Sequence, residues 1–557
     1  MGMFNPKMLD ASIRDVVSSL SNDHKTDVLL YAMERLPSNP GPLTRVLRNV
    51  DLQEILLLDP DHPEARALMP QAGSMETGEF SIRPHARPRF SPELWREIAT
   101  YLSREDLRNL LFVPHSPSNI ATQLLFRKLH LQFGTARYYA SNPRDEDEME
   151  QAHELDNWHA QRSADILTQV VSDPKYASLV RTLLISAPQG DENVLTTFQI
   201  GMFANALPKL VNLKTFVCTM GNEALTSILQ IVEKSHPDIE DLRLVCTSET
   251  PATLPQLSQL ISFTYVGSSI IPNTHAFVSD LVVTLRKISL DIPGTLPMGL
   301  ISSTNFTTVD LAGIIEDTAF FTELLTEGHR LEVLRLRCSL GHNCTPSTAF
   351  RAQAAAPPLS SLRIFSLSII GVSREFGDPD LFPAVASFVR GHSCLQELGL
   401  LKSQEVDDVG YDASVWGVLP SLVQLRSLAM HVPRDLAPAL STWLIPRTVR
   451  SLHLDMPLNQ GMSQTVQAWT GLPRDVTFLS VTPSLTLEIQ NLVYEKLPNV
   501  RLLRMQNVFY TVIRTDHGVV LDPWSGRRSR FYAHDWLEGL ECEDPILWNA
   551  GTSYMNV

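Results

Sequence analysis

The chain has 557 residues, of which 44% are hydrophobic and 19% are charged, with a mean hydropathy of −0.02. This composition can supply a large buried core and excludes a globally disordered chain. The 46 basic and 61 acidic residues give a formal charge of −15, which disfavours general attraction to phosphate backbones and anionic membranes. We therefore predict a soluble protein without a nucleic-acid or membrane partner, built as several domains or as one long repeat.

The first 89 residues divide into a helical extension, 1–70, and a linker, 71–89. Apolar residues recur at helical spacing in the extension, beginning with Ile13, Val16, Val17 and Leu20. The stretch ILLLDPDHPEARAL, 55–68, resembles the end of a tetratricopeptide repeat, although one such repeat cannot bury its own faces. A plain helical extension is the alternative. The linker loses this periodicity and gains Gly, Pro and charged residues.

Two short amphipathic helices are predicted in FSPELWREIATYLSREDLRNLLFV, residues 90–113. Ser91 suits an N-cap and Pro92 the first helical position, and Ser103 caps the second helix with Asp106 three residues later. The two apolar stripes are formed by Leu94, Ile98 and Leu102, and by Leu107, Leu110 and Leu111. Because two helices of about ten residues cannot cover all these side chains, another surface must cover the remainder.

This pattern resembles the F-box, a short helical module that docks on a Skp-type adaptor and through it on a cullin. The resemblance covers 90–133 and, by position, implies adaptor contacts from Phe90, Pro92, Leu94, Ile98, Leu102 and Leu107, with Leu110 and Val113 nearer the internal core. Phe90-Ser91 replaces the usual Leu-Pro, and PHSPSN replaces the usual polar-aromatic ending. The alternative is an ordinary helical hairpin inside a larger domain.

Residues 134–178 are predicted to form an acidic loop followed by a connecting helix. A third helical stretch is expected over 120–133, before this segment. The acidic cluster from Asp145 to Glu154 is typical of a solvated loop. The run 165–185, DILTQVVSDPKYASLVRTLLI, resembles the helix-to-first-strand junction of fungal F-box proteins.

A motif of the form L-x-x-L-x-L recurs over 179–505. Clear copies are IEDLRL, LEVLRL, LQELGL and LRIFSL, which begin at 239, 331, 395 and 362; weaker copies begin at 180, 213, 260, 285, 306, 425, 449, 476 and 500. From 213 onward the steps between starts lie between 21 and 33 residues. The fourth and sixth places point to one side of a strand because side chains alternate. Helices are predicted between strands, for example in TSILQIV, 226–232, and PAVASFV, 383–389.

This region resembles leucine-rich repeat proteins of the irregular, cytosolic kind, without the usual Asn or Cys ladder. The resemblance implies an α/β solenoid in which the residues between the buried leucines line a concave face. Target-binding residues would then include Arg243, Arg335, Arg337, Ser451, His453 and Arg504. Four arginines suit an acidic or phosphorylated target. The alternative is an α/β domain with evenly spaced parallel strands.

After the repeats, 506–557 is predicted to form a β-rich cap and tail, with Asp516-His517-Gly518 as a turn. Such a cap covers the last apolar face of a repeat array.

The amino terminus and the six cysteines favour a reducing compartment, cytoplasmic or nuclear. MGMFNPKMLDASIRD lacks the apolar region of a secretion signal. The uncharged stretch 250–279 is interrupted by prolines and does not fit a spanning helix. Cys338 and Cys344, with His342 between them, fall short of the four convergent ligands that a tetrahedral metal site requires. No metal is therefore expected.

No catalytic motif is present, and the nearest one, His153-Glu154, lacks the second histidine of a zinc helix. Pairs such as Asp516 with His517 and His431 with Asp435 are commonplace, so no catalytic residue and no cofactor are assigned. The sequence favours a substrate-receptor subunit of an SCF-type ubiquitin ligase, which acts by proximity and not as an enzyme. The alternatives are a leucine-rich scaffold outside any ligase and an enzyme in a large α/β domain.

Overall fold

The computed structural model describes most of the chain from Ser91 to Trp524. The described residues are 91–100, 102, 104–113, 116–133, 146–187, 197–220, 222–246, 254–267, 277–278, 281, 283–296, 305–406, 408–456, 471–482, 486–505, 508–515, 518–524, 537 and 540. The chain divides into two compact units, 1–89 and 90–557. The first unit lies outside the described residues, and with it the predicted extension and linker; Phe90 and Ser103 also lie outside.

Three short helices open the second unit: α1 (Pro92–Thr100), α2 (Arg104–Leu110) and α3 (Ser116–Leu125). Helix α1 begins at Pro92, as its capping sequence predicts, and the Leu94 amide donates to the Ser91 hydroxyl at 3.4 Å. Helices α1 and α2 both pack against α3. The buried residues of these helices are Ala99, Pro117, Ile120 and Ala121. This small core leaves much apolar surface uncovered.

The third predicted helix, 120–133, is wrong in its second half. Helix α3 ends at Leu125, and strand β1 (Lys128–Gln132) follows. It pairs in parallel with β2 (Thr182–Ala187). Phe126, Leu129 and Leu131 have the same L-x-x-L-x-L spacing as the later repeats. The motif therefore has a further copy that begins at Phe126, one repeat before the copy at 180.

The acidic cluster predicted as a loop is helical instead. It begins α4 (Glu146–Ser172), a helix of 27 residues. Glutamate is a good helix former, and this stretch contains no Gly or Pro, so the charges do not prevent a helix. The last turns of α4 bury Leu167 and Val170 in the core. Helix α5 (Pro174–Leu179) follows, with the Asp173 carboxylate accepting from two backbone amides at its start.

The described strands form one 16-stranded sheet whose spatial order equals the sequence order. Strands β1 to β14 are parallel neighbours. After β2 they are β3 (Thr215–Met220), β4 (Asp241–Cys246), β5 (Ser262–Gly267), β6 (Lys287–Thr295), β7 (Thr308–Ile315), β8 (Val333–Leu340), β9 (Ile364–Val372), β10 (Glu397–Lys402), β11 (Ser427–His431), β12 (Ser451–Asp455), β13 (Phe478–Thr482) and β14 (Leu502–Met505). Each strand from β2 to β14 begins two residues after a motif start in the sequence.

Helices connect many of these parallel strands. They are α6 (Thr197–Ala206), α7 (Asn222–Ser235), α8 (Thr318–Glu327), α9 (Pro346–Ala355), α10 (Leu381–Arg390), α11 (Ala413–Trp416), α12 (Pro438–Leu444) and α13 (Thr486–Glu495). The two helices predicted at 226–232 and 383–389 lie within α7 and α10. The chain is thus a mixed α/β protein with an extended, sequentially ordered sheet.

The main core lies on one face of the sheet, which we call the core face. Register aligns the fourth motif positions of successive strands into a continuous apolar row, for example Leu398, Leu428, Leu452, Leu479 and Leu503. Each of these five leucines is fully buried. Burying apolar surface stabilises a fold by about 25 cal/mol per Å². Because every repeat contributes a side chain to it, this row is a principal source of stability.

The sheet ends in an antiparallel hairpin, β15 (Val508–Thr515) and β16 (Gly518–Pro523), where the sequence predicts a β-rich cap. Asp516 and His517 of the predicted turn lie outside the described residues, whereas Gly518 has a φ of 145°, which favours glycine. A second apolar cluster forms here, away from the main core. It contains Phe478, Leu502, Phe509, Trp524 and Leu537.

Candidate functional site

Helix α1 exposes two of the residues that the F-box resemblance places against an adaptor. Leu94 is 53% exposed and Ile98 is 39% exposed. They are four residues apart and therefore lie on the same side of the helix, one turn from each other. The neighbouring Ala99 is buried against the other helices. Helix α1 is thus anchored by a small residue and presents its larger aliphatic side chains outward.

The other adaptor-facing candidates are less uniform. Pro92 is exposed, Leu102 and Leu107 are half-buried, and Phe90 lies outside the described residues. Leu110 and Val113, expected nearer the internal core, are also half-buried. Their roles at an adaptor stay predictions.

Phe112 is a large exposed residue that the sequence did not single out. Its side chain is 85% exposed and follows the end of α2. Two residues after Leu110, it lies about 200° around a helix from that position, outside the stripe used for prediction. An aromatic residue out of phase with the apolar stripe was the available signal.

The second face of the sheet carries the residues that alternate with the core positions. All six predicted target-binding residues lie on it, spread over β4, β8, β12 and β14. Four of them are less than 10% exposed: Arg335, Ser451, His453 and Arg504. Side chains on a sheet are flanked by neighbours about 4.8 Å away on both sides, so polar residues there need not be solvated. These four residues are therefore enclosed by neighbouring strands, and their role in target binding stays a prediction.

Acidic partners already accompany three of the four predicted arginines. Arg243 bonds the carboxylate of Asp241, at 2.9 Å from Nη2, and keeps 47% of its side chain exposed. Arg335 pairs with Glu397 across two strands at 3.4 Å, with both side chains at most 5% exposed. Arg337 pairs with Asp291. An acidic target would therefore compete with existing ion pairs, above all at Arg335.

Asp310 lies between the partners of this network, beside Arg335 in the strand register. Burial raises the pKa of its carboxyl to about 6, against the lowering effect of the Arg335 charge; Asp291 raises it further. The second face thus contains a partly buried cluster of two arginines and three carboxyl groups, of which Arg335 and Glu397 are fully enclosed. Sequence reasoning found the arginines but missed Asp291, Asp310 and Glu397, because they are distant in the chain and meet only through the register.

At the other end of the second face, His453 and Arg504 are enclosed. His453 Nδ1 lies 2.8 Å from the Ser480 hydroxyl oxygen. Burial lowers the pKa of His453 well below its usual value, and the Arg504 charge lowers it further. The Arg504 guanidinium lies over the Phe509 ring, 5.6 Å from its centre. The buried Ser480–His453 pair offers no accessible nucleophile.

Of the titratable pairs noted in the sequence, Asp516 and His517 lie outside the described residues, and His431 and Asp435 each have another partner. His431 contacts Asp455, with 3.0 Å between Nδ1 and Oδ2, instead of the nearby Asp435. Asp435 accepts from the Ala413 amide. Cys344 is buried, and burial raises the pKa of its thiol to about 12. Within the described residues, no group of three or more His, Cys, Asp and Glu side chains could hold a metal ion.

No helix in the described part of the chain is both long enough and apolar enough to span a bilayer.

Comparisons with known proteins identify no family for this chain. No protein-family model and no curated protein matches the chain. Among solved structures, the chain is similar to the crystal structure of the Rad7 and Elc1 complex in yeast, at 14% identity and a TM-score of 0.33, covering 70% of this chain and 87% of that chain. The function proposed below therefore rests on the side chains described above and not on this likeness.

Proposed function

We propose that this chain is the substrate-receptor subunit of an SCF-type ubiquitin ligase. Helices α1 to α3 dock on a Skp-type adaptor, which joins a cullin, and the strand repeats form a leucine-rich solenoid that holds a target protein. One observation carries the proposal: Leu94 and Ile98 stay exposed on adjacent turns of α1. Full enclosure of both side chains would have removed the docking surface.

The exposed pair favours a partner protein on energetic grounds. Burying one large aliphatic side chain contributes about 1.5–3 kcal/mol, so covering Leu94 and Ile98 would add substantially to an interface. Interface energy commonly concentrates in a few such anchors at the centre of a contact surface. Ala99 does not cover Leu94 or Ile98, because its side chain is one methyl group that is already buried among the three helices.

The mechanism requires no catalytic residue from this chain. A receptor that holds the adaptor at one end and a target along the repeats raises the effective concentration of target lysines near a charged ubiquitin-conjugating enzyme. The buried second face bears on how the target is held. Of the four predicted arginines, Arg243 is the most open, whereas Arg335 could reach a target only if its pair with Glu397 opened.

Co-purification with a Skp-type adaptor tests the proposal. The full-length chain should retain the adaptor, and the double variant Leu94→Asp with Ile98→Asp should lose it, because two carboxylates would be buried without partners. A matched control is Leu440→Asp with Ile261→Asp, since these side chains are 50% and 41% exposed and lie on the repeats. The control should bind as the wild type does.

The outcome separates receptor from scaffold. Failure of the wild type to hold the adaptor, or equal binding by the double variant, would leave a repeat scaffold outside any ligase. Thermal melting of both double variants should match the wild type within a few degrees, since the replaced side chains are exposed. A loss of binding without a loss of stability then assigns the effect to the surface of α1.

A further inference from the structure

The residue immediately before each parallel strand forms part of a continuous ladder at the amino-terminal edge of the sheet. We call these residues rungs. The backbone N–H of each rung donates to the carbonyl oxygen of the preceding rung at 2.7–2.9 Å, from Arg181 onto Arg127 through to Arg501 onto Thr477. Fourteen rungs therefore stack in register along β1 to β14.

The rungs are far more basic than the chain. Eight of the fourteen are Arg or Lys: Arg127, Arg181, Lys214 and Arg286 in the first half, and Arg363, Arg426, Arg450 and Arg501 in the second. Basic residues are 46 of 557 in the whole sequence, a share that would put about one on fourteen positions. Glu240 and Glu332 are the acidic rungs. An acidic protein thus concentrates positive charge along one edge.

The two halves of the ladder differ in how this charge is used. In the first half, Lys214 pairs with Glu240 at 2.9 Å. Arg286 donates to the Val283 carbonyl at 2.9 Å. The side chains of Lys214, Glu240 and Arg286 share one shallow groove of about 460 Å³ with polar and apolar neighbours. Positive charge is therefore partly neutralised there.

The second half carries a surface that we call the basic edge. It consists of six exposed arginines: Arg363, Arg426, Arg447, Arg450, Arg474 and Arg501. Arg447 and Arg474 lie in the turns that lead into the rungs of β12 and β13. The backbone carbonyl of Arg474 accepts from the side-chain amide of Asn499 at 3.0 Å. This bond joins the turn of Arg474 to the next repeat. Asp475 is the exposed acid that the structure describes among the rungs and turns of this edge. Glu332 is the preceding rung, and Glu495, next to the turn into β14, pairs with Lys496 at 3.7 Å, so positive charge dominates.

The dimensions of the basic edge suit an extended peptide. From β9 to β14 there are five strand steps of about 4.8 Å, or about 24 Å. An extended chain advances about 3.4 Å per residue, so about seven residues span this length. Screening limits the reach of exposed charges to about 8 Å at physiological ionic strength. Nearby arginines therefore outweigh the remote excess of acidic residues.

The side-chain chemistry favours carboxylates over nucleic acid. All six side chains are arginines, whose planar guanidinium groups bond carboxylates and phosphates alike in a bidentate manner, so stacking groups decide between the two. Single-stranded nucleic acid would additionally require aromatic stacking platforms. The exposed aromatic residues that the structure describes are Phe112, Trp158, Trp443 and Tyr494, and none is a rung or lies in the turns of the basic edge.

We propose that the basic edge binds an extended Asp- and Glu-rich segment of a partner protein, about seven residues long. This surface is distinct from α1 and from the buried second face of the sheet. The inference does not depend on adaptor docking, and loss of the adaptor by the α1 double variant would leave it intact.

Fluorescence anisotropy with a labelled EDEEDEE peptide tests the inference, using the full-length chain. The edge variant combines Arg426→Ala, Arg450→Ala and Arg501→Ala. The control variant combines Arg181→Ala, Arg374→Ala and Arg390→Ala, three exposed arginines outside the basic edge. Both variants change the formal charge from −15 to −18. We expect at least tenfold weaker peptide binding by the edge variant and a change below twofold in the control.

Three results would overturn the inference. The first is that the wild type does not bind the acidic peptide, or binds the neutral QNQQNQQ peptide equally well. The second is equal weakening by both variants, which would indicate attraction without a defined surface. The third is tighter binding of a seven-nucleotide single strand than of the peptide, lost in the edge variant, which would assign the surface to nucleic acid. Equal melting temperatures of all three proteins establish that the variants fold.

Discussion

The helices α1 to α3 and the repeats β2 to β14 use similar aliphatic residues with opposite results. In α1, Leu94 and Ile98 repeat at helical spacing and stay exposed because the three-helix core is small. In the repeats, leucines such as Leu398 align across strands and are fully buried. Burial therefore depends on how many neighbouring elements share an apolar row, and not on leucine content.

Polar residues show the reverse contrast. Arg335 and Arg337 of the predicted target-binding set pair with acidic residues on other strands, whereas the arginines of the basic edge lie at the sheet edge and are exposed. The same residue type is therefore enclosed in one row and exposed in another. Binding surfaces of this chain are expected at its helices and edges, and the middle of the second face serves stability.

The largest effect is expected from Arg335→Gln. This change leaves the buried Glu397 without its cation and removes a positive charge next to Asp310 on the adjacent strand. Breaking one side of a buried pair costs about 3–5 kcal/mol. Arg243→Gln removes an exposed ion pair and should cost less than about 1 kcal/mol. Urea denaturation followed by circular dichroism would measure both. Similar midpoints for the two variants would show that the Arg335 pair is not a structural element.

The next effect compares the two leucine environments directly. Leu398→Ala should destabilise the chain by about 2–5 kcal/mol, because it removes a buried side chain and leaves a cavity. Leu94→Ala should change stability by less than about 0.5 kcal/mol while weakening adaptor retention. The urea midpoint of each variant measures the first quantity, and co-purification measures the second. A strongly destabilising Leu94→Ala would mean that this side chain supports the fold.

Motif spacing was enough to place the strands from β2 to β14, because every repeat brings its own apolar row and side chains alternate in a strand. The same spacing at Phe126, Leu129 and Leu131 was overlooked in favour of helical periodicity, which an adjoining helix had suggested. Likewise, charge density at 145–154 predicts a loop only weakly, because glutamates without Gly or Pro are compatible with the observed α4.

The candidate surfaces were less accessible to sequence reasoning. Exposure of Leu94 followed from the size of its module, which the sequence shows. Pairing of Arg335 with Glu397 depends on two strands separated by 62 positions in sequence. The basic edge likewise appears only when the register aligns the residues before successive strands. Contacts that arise between repeats require the stacking order, which no single repeat encodes.

The smallest effect concerns His392, which links two repeats on the core side. Its Nε2 accepts from the Leu359 amide at 2.9 Å, while Nδ1 lies 2.8 Å from the Phe388 carbonyl oxygen. The contact at Nε2 requires a neutral ring because Nε2 must accept, whereas Nδ1–H donates to the carbonyl in either state. Burial lowers the pKa of His392 below its usual 6.5, against the raising effect of the Phe388 carbonyl. The folded state therefore binds fewer protons than the unfolded state just below pH 6.5, and the stability from this residue is complete above that pH and declines as the pH falls.

His392→Gln should reduce the loss of stability between pH 7.5 and 5.5 by at most about 1.4 kcal/mol, since one proton over one pH unit is the limit. Urea titrations of wild type and variant at both pH values give this double difference, in which contributions from other groups cancel. His329→Gln is the matched control, because His329 also follows a connecting helix but is exposed. It should keep the wild-type pH dependence. An unchanged pH dependence in His392→Gln would show that the junction of these repeats tolerates a charged ring, and that burial there is weaker than in the leucine rows.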